Sequence, residues 1–278
     1  VANLADLPIT VAGATLNRFC GSSMTTIHQA AAYIMVGAGE VYIAAGCESM
    51  SRIPMGGFNP MPNPALFAKY PAAYMSMGET AENLAKKYSI DRGAQEKFAV
   101  LSQQRASAAR ARGKFASEIV VVSGVTEDGC IRPETTLETL AGLKTAFDEK
   151  GTVTAGTASP LTDGASAVLV ASEEYARKNG LPILARVVSF SAAGCGADIM
   201  GIGPVPATKK ALARAGLTMD KIDLIELNEA FAAQSLSVLK ELNLSTDRVN
   251  IDGGAIALGH PLGASGARIT GKLAALLQ

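Results

Sequence analysis

The chain has no tryptophan, and aromatic residues of all kinds fill only 5% of its 278 positions. Glycine and alanine are abundant instead, which suits close packing of helices on sheets through small side chains. Net charge is also missing: 25 Lys and Arg balance 25 Asp and Glu. A neutral chain is a poor main partner for nucleic acid or an anionic membrane, although a local basic spot can still hold one phosphate-bearing ligand. No window reaches the ~18 uninterrupted apolar residues of a membrane span. Cysteines are few, at 20, 47, 130 and 195, and no pair has metal-ligand spacing, so no metal is expected. A large chain with few cysteines and no signal peptide reads as reduced and cytoplasmic. Histidines number two, His28 and His260, so side chains that titrate near neutrality are scarce.

Apolar residues make up 48% of the chain and charged residues 18%, enough for a sizeable core. Residues 9–46 read strand, corner, helix, strand, with strand-like runs at Leu7–Ala12 and Val41–Ala45. Prolines 54, 60, 62, 64 and 71 mark a loop-rich excursion. Helical periodicity follows over 78–89 and 91–112, the second opening at Asp91, a good N-cap. Thr135 and Glu138 have the spacing of a capping box. Strand-like segments return at 165–170, 183–189, 222–227 and 249–251, and helical ones at 206–215 and 229–242. Such alternation predicts an α/β fold with helices covering a sheet. Val1-Ala2-Asn3 looks mid-domain, and Lys272–Gln278 stops inside an amphipathic helix, so both ends are expected to be cut.

Asn17-Arg18-Phe19-Cys20-Gly21-Ser22-Ser23 sets one thiol where a strand turns into a helix. Met24, Ile27, Ala31, Ile34 and Met35 then recur at helical steps, and Ser22 and Ser23 are preferred helix starters. The positive end of the helix favours thiolate by roughly 0.3–1 kcal/mol, about one pKa unit or less. A base is still required. His260 lies in Gly253–Arg268, where glycines allow close backbone approach and Pro261 withholds a donor. It suits proton exchange with a thiol, although a histidine at a tight turn can also simply pack there. His28, mid-helix, reads as structural. Asn228, in Leu227-Asn228-Glu229-Ala230-Phe231, is either an N-cap or a donor that holds a water or polarises a carbonyl.

Three runs, NRFCGSSM at 17–24, LNEAF at 227–231 and GGAIALGHPLGASGAR at 253–268, resemble thiolase signatures in order and spacing. GTVTAGTASPLTDGASAVL at 151–169 and MGIGPVPA at 200–207 are similar to two more. The resemblance spans the chain. It implies a five-layer αβαβα fold of two similar halves with an inserted loop domain: residues 1–51 of the first half, a loop domain 52–158, a return at 159–181, and the second half 182–278. It also implies thiolytic cleavage of 3-ketoacyl-CoA by CoA, run in reverse as a Claisen condensation. Coenzyme A and acyl-CoA would be substrates, no cofactor would be resident, and the assembly would be a homodimer or homotetramer.

By this resemblance Cys20 is the acyl-carrying nucleophile, His260 its base, and Asn228, with a water and His260, an oxyanion hole. The Cys20 N–H contributes to a second hole. Fixed donors aimed at developing negative charge are usually the largest catalytic term. Ser159, Met77, Phe147 and Arg132 would contact CoA, though Phe147 also reads as core and Arg132 as surface charge. Met200 and Phe231 would line the acyl pocket. The family's second catalytic cysteine lies in a Gly-rich turn that this sequence does not reach, and Cys47, Cys130 and Cys195 are outside its motif. A longer parent is therefore expected to be active and this segment weakly active or inactive. Ser76 stands where acetoacetyl-CoA thiolases often carry His, which favours a degradative 3-ketoacyl-CoA thiolase of fatty acid β-oxidation. The rival readings are an acetyl-CoA acetyltransferase acting on acetoacetyl-CoA, a ketoacyl synthase, and a catalytically incomplete CoA-binding protein.

Overall fold

Two nine-residue strands, β1 (Val41–Ser49) and β2 (Asp163–Ala171), form the hydrogen-bonded ladder of the computed structural model, which describes residues 1–278. They run antiparallel, from Val41 opposite Ala171 to Ser49 opposite Asp163. The helices are α1 (Ser22–Met35), α2 (Pro64–Lys69), α3 (Met77–Tyr88), α4 (Arg92–Ala111), α5 (Leu137–Ala141), α6 (Glu173–Lys178), α7 (Pro204–Ala215), α8 (Ala232–Leu242), α9 (Ala255–Leu258) and α10 (Ser265–Leu276). α1 and α10 cover one face of the ladder, where Ile27, Ala44 and Ala267 meet in a small core. Small residues on both sides permit this approach.

Because Ser49 faces Asp163, everything from 50 to 162 leaves and returns at one mouth. The Asp163 carboxylate closes it by accepting the Ser51 N–H (2.8 Å) and hydroxyl. Within this excursion α3 and α4 pack on α8 and α9 of the C-terminal part. Their contact is the largest core, with Leu84, Phe98, Leu140, Leu227, Val238, Leu239 and Ile256 all buried. A second cluster joins Ala106 and Ala109 of α4 to Ala257 and Leu258, directly before His260. The excursion is thus a wall of the same core that supports the 253–268 turn.

Local chemistry explains the helix ends. Ser76 caps α3: its hydroxyl accepts Glu79 N–H (3.3 Å), and Glu79 accepts Ser76 N–H (2.9 Å). Asp91 caps α4 by accepting Ala94 N–H at 2.7 Å, and Gly216 closes α7 in the left-handed conformation, φ +66°. The capping pair expected at Thr135 and Glu138 falls one residue later, on Thr136 and Thr139. Thr135 is diverted because its hydroxyl donates to Arg132 O at 2.9 Å.

Four strand expectations are corrected. Residues 7–12 and 183–189 form no ladder, and their apolar side chains stay open, Ile9 at 95% and Val188 at 67% exposure. A strand exists through its partner, and neither segment has one in this chain. Residues 222–227 and 249–251 meet through a single parallel bridge, Ile225 to Val249. The helix expected from Glu229 starts at Ala232 instead, because Phe231 is drawn into an extended bridge with Ala158.

Backbone packs closely against backbone at the N-terminus of α10. A Cβ on Gly266 would sit 2.1 Å from Met24 N of α1. Backbone cannot yield there as a flexible side chain would, so Gly266→Ala should lower stability by about 1–3 kcal/mol. A urea midpoint equal to the unsubstituted chain would contradict this packing.

Candidate active site

Cys20 sits in the 3₁₀ turn Phe19–Gly21 that feeds α1. Its sequence neighbours build that turn. Asn17 Oδ1 accepts Phe19 N–H at 2.9 Å, an Asx turn. Ser22 Oγ accepts Arg18 N–H (2.9 Å) and donates to Phe19 O (2.7 Å). Phe19 is held at φ +46°, a costly conformation for a bulky residue that these bonds sustain. Ser22 and Ser23 are not the N-cap, which is Gly21. Ser23 reaches across instead: its N–H donates to Gly263 O (3.2 Å), and its hydroxyl accepts Ala267 N–H (2.9 Å).

This bridge sets Cys20 against the second corner. Cys20 Sγ lies 3.0 Å from His260 Nε2, across 240 residues of sequence. Asn228 Nδ2 lies 3.3 Å from the same nitrogen. Asn228 is not an N-cap, since α8 begins four residues later; its Oδ1 is buried without a partner and free to hold a water. His260 is 4% exposed, donates its backbone N–H to Thr162 Oγ1 at 3.2 Å, and has Nδ1 2.5 Å from Ser265 Oγ. His28 is elsewhere, stacked on Phe190 with ring centroids 5.0 Å apart.

Burial reverses the expected acidity of the thiol. It pushes Cys20 up to about 11 and outweighs the backbone hydrogen bond that lowers it, while Glu48 adds to the rise. Burial, with the nearby Arg268 charge, pushes His260 down to about 4. The resting pair is therefore neutral thiol beside neutral imidazole. That arrangement suits general-base transfer in the act of bonding rather than a stored thiolate.

Phe147, Ser159 and Phe231 gather beside the Asn228 segment, and Met77 opens α3. Phe147 packs edge-on to Phe231 at 5.7 Å and lies over Gly78, next to Met77; a Cβ there would sit 2.1 Å from the ring. Ser159 N–H donates to Ala230 O at 3.0 Å. Met200 lies on a 3₁₀ segment, Ala197–Ile202, packed against α3. Arg132 is not joined to this group by any hydrogen bond or ion pair of its side chain, which is exposed. No cluster of three or more His, Cys, Asp or Glu side chains has a metal-holding arrangement.

Comparison with known proteins decides the family. The thiolase N-terminal domain model matches residues 1–174, and the thiolase C-terminal domain model matches 181–278. The chain belongs to the thiolase family. It is 53% identical to a 3-ketoacyl-CoA thiolase of Shewanella denitrificans over 288 residues, covering 99% of this chain and 74% of that relative. The Shewanella frigidimarina relative of the same name is 54% identical over the same shares. Among solved structures, human mitochondrial 3-ketoacyl-CoA thiolase, also solved in complex with CoA, superposes with TM-score 0.90 at 41% identity, over 99% of this chain and 74% of that one. Bacillus anthracis acetyl-CoA acetyltransferase gives 0.88 at 41%, over 99% and 75%. The fold is thus the thiolase α/β fold.

One residue of this thiolase's LNEAF run was read only as part of a motif. Glu229, 2% exposed, accepts Ser102 Oγ–H (2.6 Å), Asn250 Nδ2–H (2.8 Å) and Ile256 N–H (3.2 Å). Asn250 in turn pairs with both backbone groups of Leu227 at 2.8 Å, and Ser102 Oγ accepts Gly254 N–H at 3.1 Å. One carboxylate thereby ties the Asn228 segment to the turn carrying His260. Gly254 is glycine because a Cβ would meet the Glu229 carboxyl at 2.2 Å. A lone glutamate beside a candidate residue carries no sequence signal of this role; its partners come from α4 and the 250–256 turn.

Two pH effects follow. Cys20 should titrate near 11, read as thiolate absorbance lost in Cys20→Ser; a midpoint near 7 would contradict the buried, neutral pair. For His260 the folded value, about 4, lies below the ordinary 6.5. The native state then binds fewer protons, so stability present above 6.5 is lost as pH falls towards 4. The loss is on the order of 3 kcal/mol. His260→Gln should lose about 2–3 kcal/mol less between pH 7 and 4.5 in urea titrations; equal losses would refute it.

Proposed function

We propose that this chain performs thiolytic cleavage of 3-ketoacyl-CoA with CoA, giving acetyl-CoA and a shortened acyl-CoA through an acyl-thioester on Cys20. The observation that carries the reading is the convergence of Cys20, His260 and Asn228, drawn from three distant segments onto one imidazole nitrogen. In this reading Cys20 Sγ attacks the substrate's ketone carbonyl as His260 Nε2 takes the thiol proton. Negative charge then develops on the carbonyl oxygen, where the Cys20 N–H can donate. Carbon–carbon cleavage leaves an acetyl-CoA enolate, whose oxygen would be met by His260 and a water held by Asn228 Oδ1. CoA finally accepts the acyl group from sulfur. Covalent capture divides one difficult transfer into two easier ones.

Met77, Phe147 and Ser159 are proposed contacts of the pantetheine arm, supported for Phe147 and Ser159 by their contacts with Phe231 and Ala230 beside Asn228. Met200 and Phe231 are proposed for the acyl pocket, and Arg132 for the nucleotide end of CoA. Coenzyme A is a substrate, and no resident cofactor is required. A cytoplasmic setting, a place in β-oxidation and homo-oligomeric assembly belong to the same reading. The last is supported by the outer face of the ladder, where Ile43 and Leu169 are more than half exposed.

The first half-reaction tests the proposal. Incubation with acetyl-CoA should add one acetyl group to Cys20, seen by mass spectrometry of the intact chain and its peptides. Cys20→Ala should abolish the adduct, and His260→Ala should slow it by about 10²–10⁴-fold. Acetylation that persists in Cys20→Ala would overturn the nucleophile. Cleavage rates on four-carbon and longer 3-ketoacyl-CoAs separate this reading from an acetoacetyl-CoA-specific enzyme, which would use the four-carbon substrate alone.

A further inference from the structure

His260 has polar neighbours on both ring nitrogens, and their chemistry decides which nitrogen carries the hydrogen. Ser265, 1% exposed, is the first residue of α10. Its Oγ lies 2.5 Å from His260 Nδ1 and 3.1 Å from Pro261 O. Pro261 O can only accept. It accepts the Ala264 and Ser265 N–H groups at 2.9 and 3.0 Å, and the Ser265 hydroxyl hydrogen is directed at it as well, which leaves oxygen lone pairs facing Nδ1. At the other nitrogen stand two donors, the Cys20 thiol at 3.0 Å and Asn228 Nδ2 at 3.3 Å. With hydrogen on Nδ1 every one of these contacts pairs a donor with an acceptor. With hydrogen on Nε2, that N–H would confront the Asn228 amide hydrogen, and Ser265 would have to abandon Pro261 O.

We propose that Ser265 is a positioning residue that holds neutral His260 in the Nδ1–H tautomer, so that the Nε2 lone pair faces Cys20. The inference rests on the acyl-transfer reading above and deepens it. In the attack step the S–H bond breaks, its electron pair stays on sulfur to form the S–C bond, and the proton passes to Nε2. The imidazolium keeps its Nδ1–H on Ser265 Oγ. Nε2 then gives that proton to the enolate carbon, forming the C–H bond of acetyl-CoA. In the second transfer it takes the CoA thiol proton as that sulfur attacks the acyl group and passes it to the departing Cys20 sulfur. No carboxylate stands behind the ring. The neutral hydroxyl orients the base without raising its basicity, in keeping with a resting pair that carries no charge.

The rarity of histidine makes the test direct. In protein labelled with ¹⁵N-histidine, two imidazoles give signals, and His28→Asn assigns them. Long-range ¹H–¹⁵N correlations should show His260 protonated at Nδ1; protonation at Nε2 in the unsubstituted chain would overturn the proposal. Ser265→Ala should shift His260 towards Nε2–H and slow Cys20 acetylation by acetyl-CoA about tenfold or more, with acetyl-CoA affinity unchanged. Ser265→Thr, which keeps the hydroxyl, should restore the Nδ1–H pattern. An unshifted tautomer and an unslowed rate in Ser265→Ala would also overturn it. Should Ser265→Ala fail to fold, the spectrum of the unsubstituted chain decides alone. Absence of acetylation beside an intact Nδ1–H pattern would sink the acyl-transfer reading while the tautomer assignment stands.

Discussion

The approach of the 263–267 backbone to α1 and β1 is the constraint on which the site depends. A Cβ on Gly46 would lie 2.0 Å from Gly263 O, and one on Gly266 would lie 2.1 Å from Met24 N. Side chains are excluded so that main chain can meet main chain. The contact is then locked by hydrogen bonds: Ser23 N–H to Gly263 O, Ala267 N–H to Ser23 Oγ, Gly263 N–H to Glu48 and Ser166 Oγ–H to Ala264 O. Each buried donor finds its acceptor, which avoids a penalty of about 1–3 kcal/mol per orphaned group. Through this junction the Cys20 turn and the His260 turn become neighbours.

A second brace works from the other side. Glu229 gathers α4, the Leu227–Asn228 segment and the 250–256 turn on one buried carboxylate. Burial raises its pKa, while Ser102, Asn250 and Ile256 act against that rise. The neighbouring Lys272, 4% exposed, sits 2.9 Å from both Glu118 and Asp252 and 4.9 Å from the Phe115 ring. Lys272 is therefore paired at short range, whereas both Glu226 carboxylate oxygens and the Arg268 Nε and Nη2 atoms are buried without a hydrogen-bond partner. Cys20 and His260 themselves are kept neutral.

That neutrality came from weighing two effects of different size. A helix N-terminus moves a thiol by about one pKa unit. Burial of Cys20 acts in the opposite direction and carries it from 9.0 to about 11. Proximity to the helix end is a local property of NRFCGSS, whereas desolvation depends on what the rest of the chain packs over it. The larger effect was invisible to local reading, and in the proposed reaction it favours a proton moved during attack over a stored thiolate.

Helices with strong caps were legible: Asp91 opening α4, Gly216 closing α7 and the amphipathic run of α3 follow rules acting within four residues. Strands were legible only where a partner exists, as for Val41–Ala45 and 165–170, while 7–12 and 183–189 have the composition of strands but no neighbour to pair with. The sequence alone singled out Cys20, Asn228 and His260 as candidates for the chemistry, because they stand in long signatures that name a family. Tertiary structure alone decided their acidity, the hydrogen-bond partners of Ser265 and Glu229, and the 3.0 Å contact itself. Those properties belong to groups brought together from distant segments, and neither desolvation nor a hydrogen-bond partner can be read before the chain has closed around them.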